Sequence, residues 1–229
     1  MSRNATKDLT TGSPMKLILG FGIPLLFGML FQQFYSMVDT LIVGKFLGVN
    51  PLAGVGSTTS LNFMVLGFCM GVCNGFANPV AQRFGAKDEH GMRKFVANSV
   101  WLSIIFAVVM AVLVCVFCRQ ILELMNTPED IFDQAYIYIF IIFLGIPATY
   151  LYNMLAGIIR SLGDSTTPLV FLLISSVMNI ILDLFTIIVL KMGVAGAAWA
   201  TVISQYISAA LVLRCLIQTE ADYRLELSK

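Results

Sequence analysis

The stretch Ser165–Leu190, STTPLVFLLISSVMNIILDLFTIIVL, decides the fold, because its 26 consecutive residues contain a single charge, Asp183. A transmembrane helix needs about 20 predominantly apolar residues. Asp164 directly precedes this stretch and Lys191 directly follows it, so its two ends are clearly marked. The stretch therefore predicts a membrane-spanning helix that carries one carboxylate inside the bilayer.

Five further runs without any charged residue accompany this stretch. They are Leu17–Val38, Phe46–Gln82, Phe95–Cys118, Gln134–Ile159 and Met192–Leu213, and each contains 22 to 37 residues. Runs of this length are far longer than the alternating strands of about 10 residues in an outer-membrane barrel. We predict an all-α integral membrane protein with six transmembrane helices, at about 15–44, 51–82, 94–118, 128–159, 167–190 and 194–217.

Four dipeptides that end in proline mark the predicted starts of four of these helices. They are Ser13-Pro14, Asn50-Pro51, Thr127-Pro128 and Thr167-Pro168. In each pair a capping side chain comes before a proline, which predicts that the proline occupies the first helical position.

The composition excludes other classes of protein. Of the 229 residues, 58% are apolar and 12% are charged, whereas soluble domains carry about 25% charged residues. A soluble enzyme with a single hydrophobic core is therefore excluded. The formal net charge of +1 also excludes a strongly basic nucleic-acid-binding protein.

The distribution of lysine and arginine predicts the orientation in the membrane, because these residues concentrate in cytoplasmic loops. With the N-terminus inside, eleven of them are cytoplasmic: Arg3, Lys7, Lys16, Arg83, Lys87, Arg93, Lys94, Arg160, Arg214, Arg224 and Lys229. Lys45, Arg119 and Lys191 remain outside. We therefore expect both termini to be cytoplasmic, with residues 1–218 forming a six-helix lobe and residues 219–229 forming a cytoplasmic tail.

Two aspartates lie inside the predicted spans. An ionisable residue near the bilayer centre costs about 2.5–3.5 kcal/mol on insertion scales and marks an ion or substrate path by default. From the rise of about 1.5 Å per residue, Asp39 lies about 8 Å below the outer end of its helix and Asp183 about 11 Å below. Thr201 lies at a similar depth on the last helix, so three polar groups on three helices share one level.

The neighbours of both aspartates are polar as well. Asn179 is one turn from Asp183, and Gln32, Tyr35 and Asp39 follow one stripe of the first helix. Such an oxygen-rich pocket suits Na⁺ or protons bound by the carboxylates. Two alternatives stay open from the residues alone: the aspartates reach water near the helix ends, or they form a structural hydrogen bond between helices.

Glycine and proline positions predict packing and bending. Gly67, Gly71 and Gly75 form a doubled G-x-x-x-G pattern, which allows close approach of a neighbouring helix. Pro24 lies inside the first helix, where a missing N–H kinks the helix or frees a carbonyl, and we consider it a hinge. Ala197 belongs to a small face of the last helix, and its carbonyl could face the pocket.

Six motifs in this order resemble the N-terminal six-helix lobe of the multidrug and toxic compound extrusion (MATE) family. They are Gly22-x-Pro24, Met37-Val-Asp-Thr-Leu-Ile-Val-Gly44, Ala81-Gln-Arg-Phe-Gly-Ala-Lys87, Arg160-Ser-Leu-Gly-Asp164 with Pro168, Asn179-x₃-Asp183, and Gly193-Val-Ala-Gly-Ala-Ala-Trp-Ala-Thr201. The resemblance implies efflux of amphipathic or cationic drugs from a bacterial-type inner (cytoplasmic) membrane, coupled to Na⁺ or H⁺. It implies no catalytic residue, no cofactor and no metal other than Na⁺.

The resemblance also assigns roles to individual residues. It implies that Asp39, Asn179, Asp183 and Thr201 bind the Na⁺ or the proton, with Ala197 contributing a backbone oxygen. It implies that Gln32, Tyr35, Tyr138 and Asn153 line the drug cavity.

One departure from the family keeps other interpretations open. Family members have twelve helices in two lobes around a central cleft, so the resemblance implies a partner, the missing C-terminal lobe. A non-transporting remnant or a half-subunit is one alternative. A lipid-linked oligosaccharide flippase of the same superfamily is another, although the predicted spans contain no lysine or arginine near mid-membrane. An intramembrane aspartyl protease is disfavoured, since Asp183 lacks the G-x-G-D context of those enzymes.

Overall fold

A computed structural model of the chain describes residues 12–218, and its regular elements there are all helical. The helices are α1 (Pro14–Leu47), α2 (Val49–Gly85), α3 (Glu89–Val116), α4 (Cys118–Leu124), α5 (Glu129–Leu144), α6 (Ile146–Ser161), α7 (Thr166–Leu184) and α8 (Val194–Gln218). A π-helical turn, Phe185–Val189, continues α7. The predicted tail at 219–229 lies outside the described residues.

Five of these helices are individually long and apolar enough to cross a membrane: α1, α2, α3, α7 with its π-helical turn, and α8. Helices α5 and α6 meet the same criterion only as a pair, and they meet at an angle of 46°. With the bent pair taken as one span, the described residues contain six spans. The prediction of an all-α membrane protein is confirmed.

The bend between α5 and α6 comes from two neighbouring residues. Pro147 lacks the N–H that would continue the hydrogen-bond ladder. Gly145 lies against α8, where an added Cβ would come within 2.6 Å of Cγ2 of Val202. The sequence pattern did not predict this bend. The bend gives the two halves of the span different neighbouring helices.

Helix α6 lies at the centre of the bundle and α1 lies at its edge. α6 packs against α2, α3 and α8, and its largest fully buried side chains include Tyr150, Met154 and Leu155. α1 packs mainly against α7 and α2, and its buried residues are Asp39, Ile42 and Val43. Most of α1 is therefore held by few contacts within the described residues.

Hydrogen bonds between helices add to the packing. The Ser161 hydroxyl donates to the carbonyl of Ala77 at 2.9 Å, and the Tyr152 hydroxyl donates to the carbonyl of Pro168 at 3.2 Å. Because lipid is as apolar as the helix surfaces, packing and such hydrogen bonds provide most of the association between helices.

The helix starts differ from the predicted pattern. Pro14 occupies the first helical position of α1 as predicted, but Pro51 and Pro168 are the third residues of α2 and α7, and Pro128 precedes α5. The reason is that the whole first turn lacks intrahelical acceptors for its N–H groups, so proline is tolerated anywhere in it.

The predicted caps are also wrong at α1 and α7: Ser13 makes no side-chain cap hydrogen bond at α1, and Thr167 lies inside α7. At α7, Oδ1 of Asp164, one residue before the N-cap Ser165, accepts hydrogen bonds from the backbone N–H groups of Thr166 and Thr167.

The packing predicted for Gly67, Gly71 and Gly75 is wrong within the described residues. A Cβ built on any of the three would meet nothing within 4 Å, and all three lie exposed on α2. Close approach to α2 occurs instead at Gly54. Residues spaced at the helical period lie on one face of a helix, but the spacing does not show which neighbouring helix that face contacts.

Replacing Gly54 with alanine is expected to destabilise the fold by about 1–3 kcal/mol, the usual cost of overpacking. A Cβ at this position would stand 3.1 Å from Cβ of Gln134 and 3.2 Å from the backbone nitrogen of Ala135. Thermal unfolding of the purified protein in detergent measures the change. Gly71→Ala is the matched control, because it lies on the same helix in open space, and it should not destabilise. Equal losses in both variants would contradict the prediction.

Stability of the turn between α2 and α3 should depend on pH through Asp88. Its Oδ1 accepts a hydrogen bond from the Gly91 N–H at 2.9 Å, and its Oδ2 pairs with the Arg83 guanidinium at 2.7 Å. These contacts, the Gly91 hydrogen bond first, hold the pKa of Asp88 below its ordinary value of 3.8. A lowered folded pKa gives stabilisation that is complete well above the unfolded pKa and is lost as the pH falls through the folded pKa.

We therefore expect the protection factor of the Gly91 amide in hydrogen exchange to be constant above about pH 5 and to fall below pH 4. Asp88→Asn keeps a capping oxygen but does not titrate, so its protection factor should not change in this way. A fall of the same size in both proteins would assign the pH dependence to another group.

Candidate functional site

Four helices bring the predicted polar residues together. Asp39 comes from α1, Tyr138 from α5, Asn179 and Asp183 from successive turns of α7, and Thr201 from α8. Asn179 and Asp183 share a face because they are four residues apart on a helix.

The carboxyl groups of Asp39 and Asp183 form the centre of this site, and we call them the carboxylate pair. Each lies within hydrogen-bonding reach of the other. Asp183 is 0% exposed and Asp39 is 9% exposed. Neither oxygen of Asp183, nor Oδ1 of Asp39, has a donor among the described residues. Two buried carboxylates within reach of each other repel when both are charged, which favours a shared proton or a bound cation.

Fixed positive charge lies elsewhere in the described structure. Two ion pairs, Arg83–Asp88 and Arg119–Glu123, lie at exposed positions, and neither includes a member of the carboxylate pair. The charges of both carboxyl groups act on the hydroxyls of Tyr35 and Tyr138. The pair is thus surrounded by neutral polar groups, and its charge can be balanced by a mobile ion.

Asn179 and Thr201 extend the site to α8. The Asn179 amide nitrogen lies 3.3 Å from the Thr201 hydroxyl. The Asn179 carbonyl oxygen Oδ1 is buried and has no hydrogen-bond partner within the described structure. The arrangement provides amide, hydroxyl and carboxyl oxygens, which are ligands that hard cations prefer.

Ala197 is fully buried one turn before Thr201. It lies inside a continuous helix, whose carbonyls accept the helix's own hydrogen bonds. A contribution of its backbone oxygen to the site therefore stays a prediction.

The four residues expected in a drug cavity occupy different surroundings. Gln32 is exposed on α1 and lies within hydrogen-bonding reach of Tyr35. Tyr138 is 8% exposed and faces the carboxylate pair. The Asn153 amide donates to the carbonyl of Thr149 at 2.8 Å, one turn earlier on its own helix. The structure therefore groups Tyr35 and Tyr138 with the pair. The Asn153 side chain is instead held by a hydrogen bond within its own helix, and its role stays a prediction.

Pro24 lies within α1, which continues through it. It is eleven residues before Tyr35, about 16 Å along the helix axis. Its missing N–H leaves the carbonyl of Gly20 without its intrahelical donor. A weak point in α1 thus lies on the same helix as Asp39 but well away from it.

The π-helical turn begins two residues after Asp183. The Thr186 hydroxyl donates to the Leu182 carbonyl at 2.8 Å and lies 3.3 Å from the carbonyl of Asp183. A Cβ on Gly196 would come within 3.1 Å of Thr186, so α8 approaches closely here. Such π-helical turns occur frequently at functional sites.

Sequence reasoning missed a row of serines beside the site. The Ser175 hydroxyl donates to the carbonyl of Ser204 at 3.2 Å and so joins α7 to α8. Ser175, Asn179 and Asp183 follow one another at intervals of four residues, and Thr201, Ser204 and Ser208 are spaced similarly on α8. The spacing of these residues at the helical period was the sequence signal that could have revealed this polar row.

Comparison with known proteins adds evidence of relationship. The chain is 35% identical over 190 residues to the probable multidrug resistance protein YoeA of Bacillus subtilis (strain 168), covering 80% of this chain and 41% of the relative. It is 29% identical over 201 residues to the multidrug export protein MepA of Staphylococcus saprophyticus, covering 86% of this chain and 44% of the relative.

A solved structure has the same fold. The outward-facing conformation of a multidrug resistance MATE family transporter of the MOP superfamily superposes with a TM-score of 0.89 at 26% identity. The superposition covers 98% of this chain and 49% of that one, so the chain spans less than half the length of each of these three proteins. The MatE family model matches residues 24–185. With this match and the 35% identity to YoeA, the chain belongs to the MatE family.

Proposed function

We propose that the chain is the N-terminal lobe of a multidrug efflux antiporter, and that a proton or Na⁺ at the carboxylate pair drives export. The observation that carries the proposal is the meeting of Asp39 and Asp183 between α1 and α7 with no lysine or arginine beside them. The names of the multidrug resistance relatives support drugs as the substrates.

The mechanism follows from the charge of the pair. Two unit charges about 4 Å apart repel by roughly 4 kcal/mol at an effective dielectric constant of 20. A bound proton or Na⁺ removes this repulsion and holds α1 against α7. Loss of the cation restores the repulsion, and α1 responds because few other contacts hold it.

The same helix presents the drug-facing side chains. Gln32 and Tyr35 precede Asp39 by seven and four residues, so all three follow one stripe of α1. A change in the position of α1 therefore changes the surface that meets the drug. Cation binding from outside would weaken the binding of a cationic or amphipathic drug and release it, with Pro24 as the hinge.

The pocket chemistry fits Na⁺ and H⁺ alike. Na⁺ would take oxygens of Asp39, Asn179, Asp183 and Thr201. A proton would be shared by the two carboxyl groups. Transport of this kind needs no catalytic residue and no organic cofactor.

The second wall of the drug path would come from a C-terminal six-helix lobe, and the two lobes would rock about the central site. We place both termini in the cytoplasm and the protein in the inner membrane of a bacterium, as the distribution of lysine and arginine predicts. The fraction of relatives and solved structures that the chain covers supports such a partner.

Replacing Asp39 and Asp183 together by asparagine should abolish drug resistance in cells, because neither side chain could then bind the cation. The amount of protein in the membrane should stay unchanged, since a neutral pair does not repel. Resistance to a cationic dye or drug and immunoblotting of membranes measure both quantities.

The control for this double variant is Asp133→Asn, which removes an exposed carboxylate at the start of α5. It should keep full resistance. Full resistance in the Asp39→Asn/Asp183→Asn variant would overturn the proposed coupling site.

Pro24→Ala should lower efflux several-fold while leaving the carboxylate pair able to bind its cation. Alanine supplies an N–H for the Gly20 carbonyl and stiffens α1. Dye efflux measures transport, and the infrared band of the protonated carboxyl group in purified protein measures binding. Pro14→Ala is the control, because the first helical position needs no N–H. Unchanged efflux in Pro24→Ala would remove the hinge from the mechanism.

A further inference from the structure

A small chamber lies beside Asn179, where α1 faces the contact between α7 and α8. Its volume is about 10 Å³, and Leu172 is the one apolar side chain among the eight that line it. A cavity needs about 10–15 Å³ and two to four polar partners to hold one water molecule. The chamber meets both conditions at their lower limit.

An unsatisfied acceptor lines this chamber. Asn179 is 2% exposed, and its Oδ1 has no hydrogen-bond partner within the described structure. Its amide nitrogen is already directed to Thr201. A buried amide oxygen without a donor is costly, so it favours a bound water that donates to it.

The remaining lining groups complete the coordination of such a water. The hydroxyls of Ser175 and Ser204 both donate to backbone carbonyls, which leaves their oxygens free to accept. Tyr35 and Gln205 also line the chamber, and they supply O–H and N–H donors. A water can therefore donate to Asn179 and to a serine, and accept from Tyr35 or Gln205.

We propose that this chamber binds one water molecule, which links Tyr35 on α1 to Asn179 on α7 and carries the state of the carboxylate pair to the drug-facing side of α1. Tyr35 is suited to this role because it lies one turn before Asp39 on α1 and within hydrogen-bonding reach of Gln32. The water is thus a polar tie between the lightly held α1 and the rest of the bundle.

This inference rests on the proposed function, because it assumes that the pair binds a cation during transport. With the cation bound, α1 lies close enough for Tyr35 to close the chamber. When α1 moves away, the water loses the Tyr35 contact, and Gln32 moves with Tyr35. The link would therefore make the drug-facing surface respond to the cation.

The test compares two substitutions of Ser175 in the full-length protein. Ser175→Val fills the chamber and displaces the water, whereas Ser175→Ala leaves room for it. Both remove the hydrogen bond to Ser204, so any difference between them reports on the water. Ser176→Val fills the chamber from the neighbouring position without removing an interhelical hydrogen bond, since Ser176 donates to Leu172 of its own helix.

The readout is the rate at which a thiol reagent labels Ser36→Cys, an exposed position on α1, with Cys115 and Cys215 replaced by alanine. The rate is compared at high and low Na⁺, and at high and low pH after division by the rate of the same reagent with a free thiol at that pH, because the thiolate is the reacting form. In the unmodified chamber and in Ser175→Ala we expect the cation to change labelling about tenfold, within the usual range of coupling between sites. In Ser175→Val and Ser176→Val this dependence should largely disappear.

Infrared detection of the protonated carboxyl band separates the two proposals. The band should persist in the valine variants, because the carboxylate pair is intact, while the labelling response is lost. Ser99→Val, at a buried site on α3, is the control and should behave like the unmodified protein. Equal responses in Ser175→Val and Ser175→Ala, whether normal or lost, would overturn the water link. If the infrared band of the protonated carboxyl group in the unmodified protein did not change with Na⁺ or pH, the proposed cation site itself would be overturned.

Discussion

Two carboxyl groups that meet inside a bilayer impose the condition on which the rest of this lobe depends. Asp39 and Asp183 lie within reach of each other, Asn179 lies one turn from Asp183, and the ion pairs Arg83–Asp88 and Arg119–Glu123 lie at exposed positions. A lysine or arginine beside the pair would neutralise it permanently and make the structure indifferent to ions in solution. On the proposed function, neutral polar neighbours would leave that balance to a mobile cation, and the fold would become sensitive to its presence.

The uneven packing of the helices determines where this sensitivity acts. α6 is enclosed by α2, α3 and α8, so a change of charge at the site is expected to move this helix little. α1 has three buried residues, and one of them is Asp39. A long helix with few buried residues thus carries one half of the pair. On the proposed function, a repulsion at the pair would therefore act on α1 before it acts on the enclosed core.

The sequence was sufficient for the features that depend on one helix at a time. Apolar runs revealed the spans, and the intramembrane charges at Asp39 and Asp183 pointed to a site. The sequence could not predict features that depend on which neighbour a helix face points toward. The stripe of Gly67, Gly71 and Gly75 was visible, yet its exposure on α2 follows from contacts made elsewhere. The bend between α5 and α6 was also missed, although Pro147 was visible, because the close approach of Val202 to Gly145 is made by another helix.

The exposed surface of this lobe gives the last constraint. Gln32, Gln33 and Ser36 on α1, with Asn74 and Asn78 on α2, are exposed at positions within spans, although polar side chains in direct contact with lipid are costly. They are tolerated when they line a water-filled cavity or meet another protein surface. The exposed glycines of α2 fit the same conclusion, since small residues allow a neighbouring helix to approach. The exposed positions of α1 and α2 that carry these polar side chains are therefore poorly suited to lipid, and a facing lobe, as proposed above, would give them both a cavity and a partner.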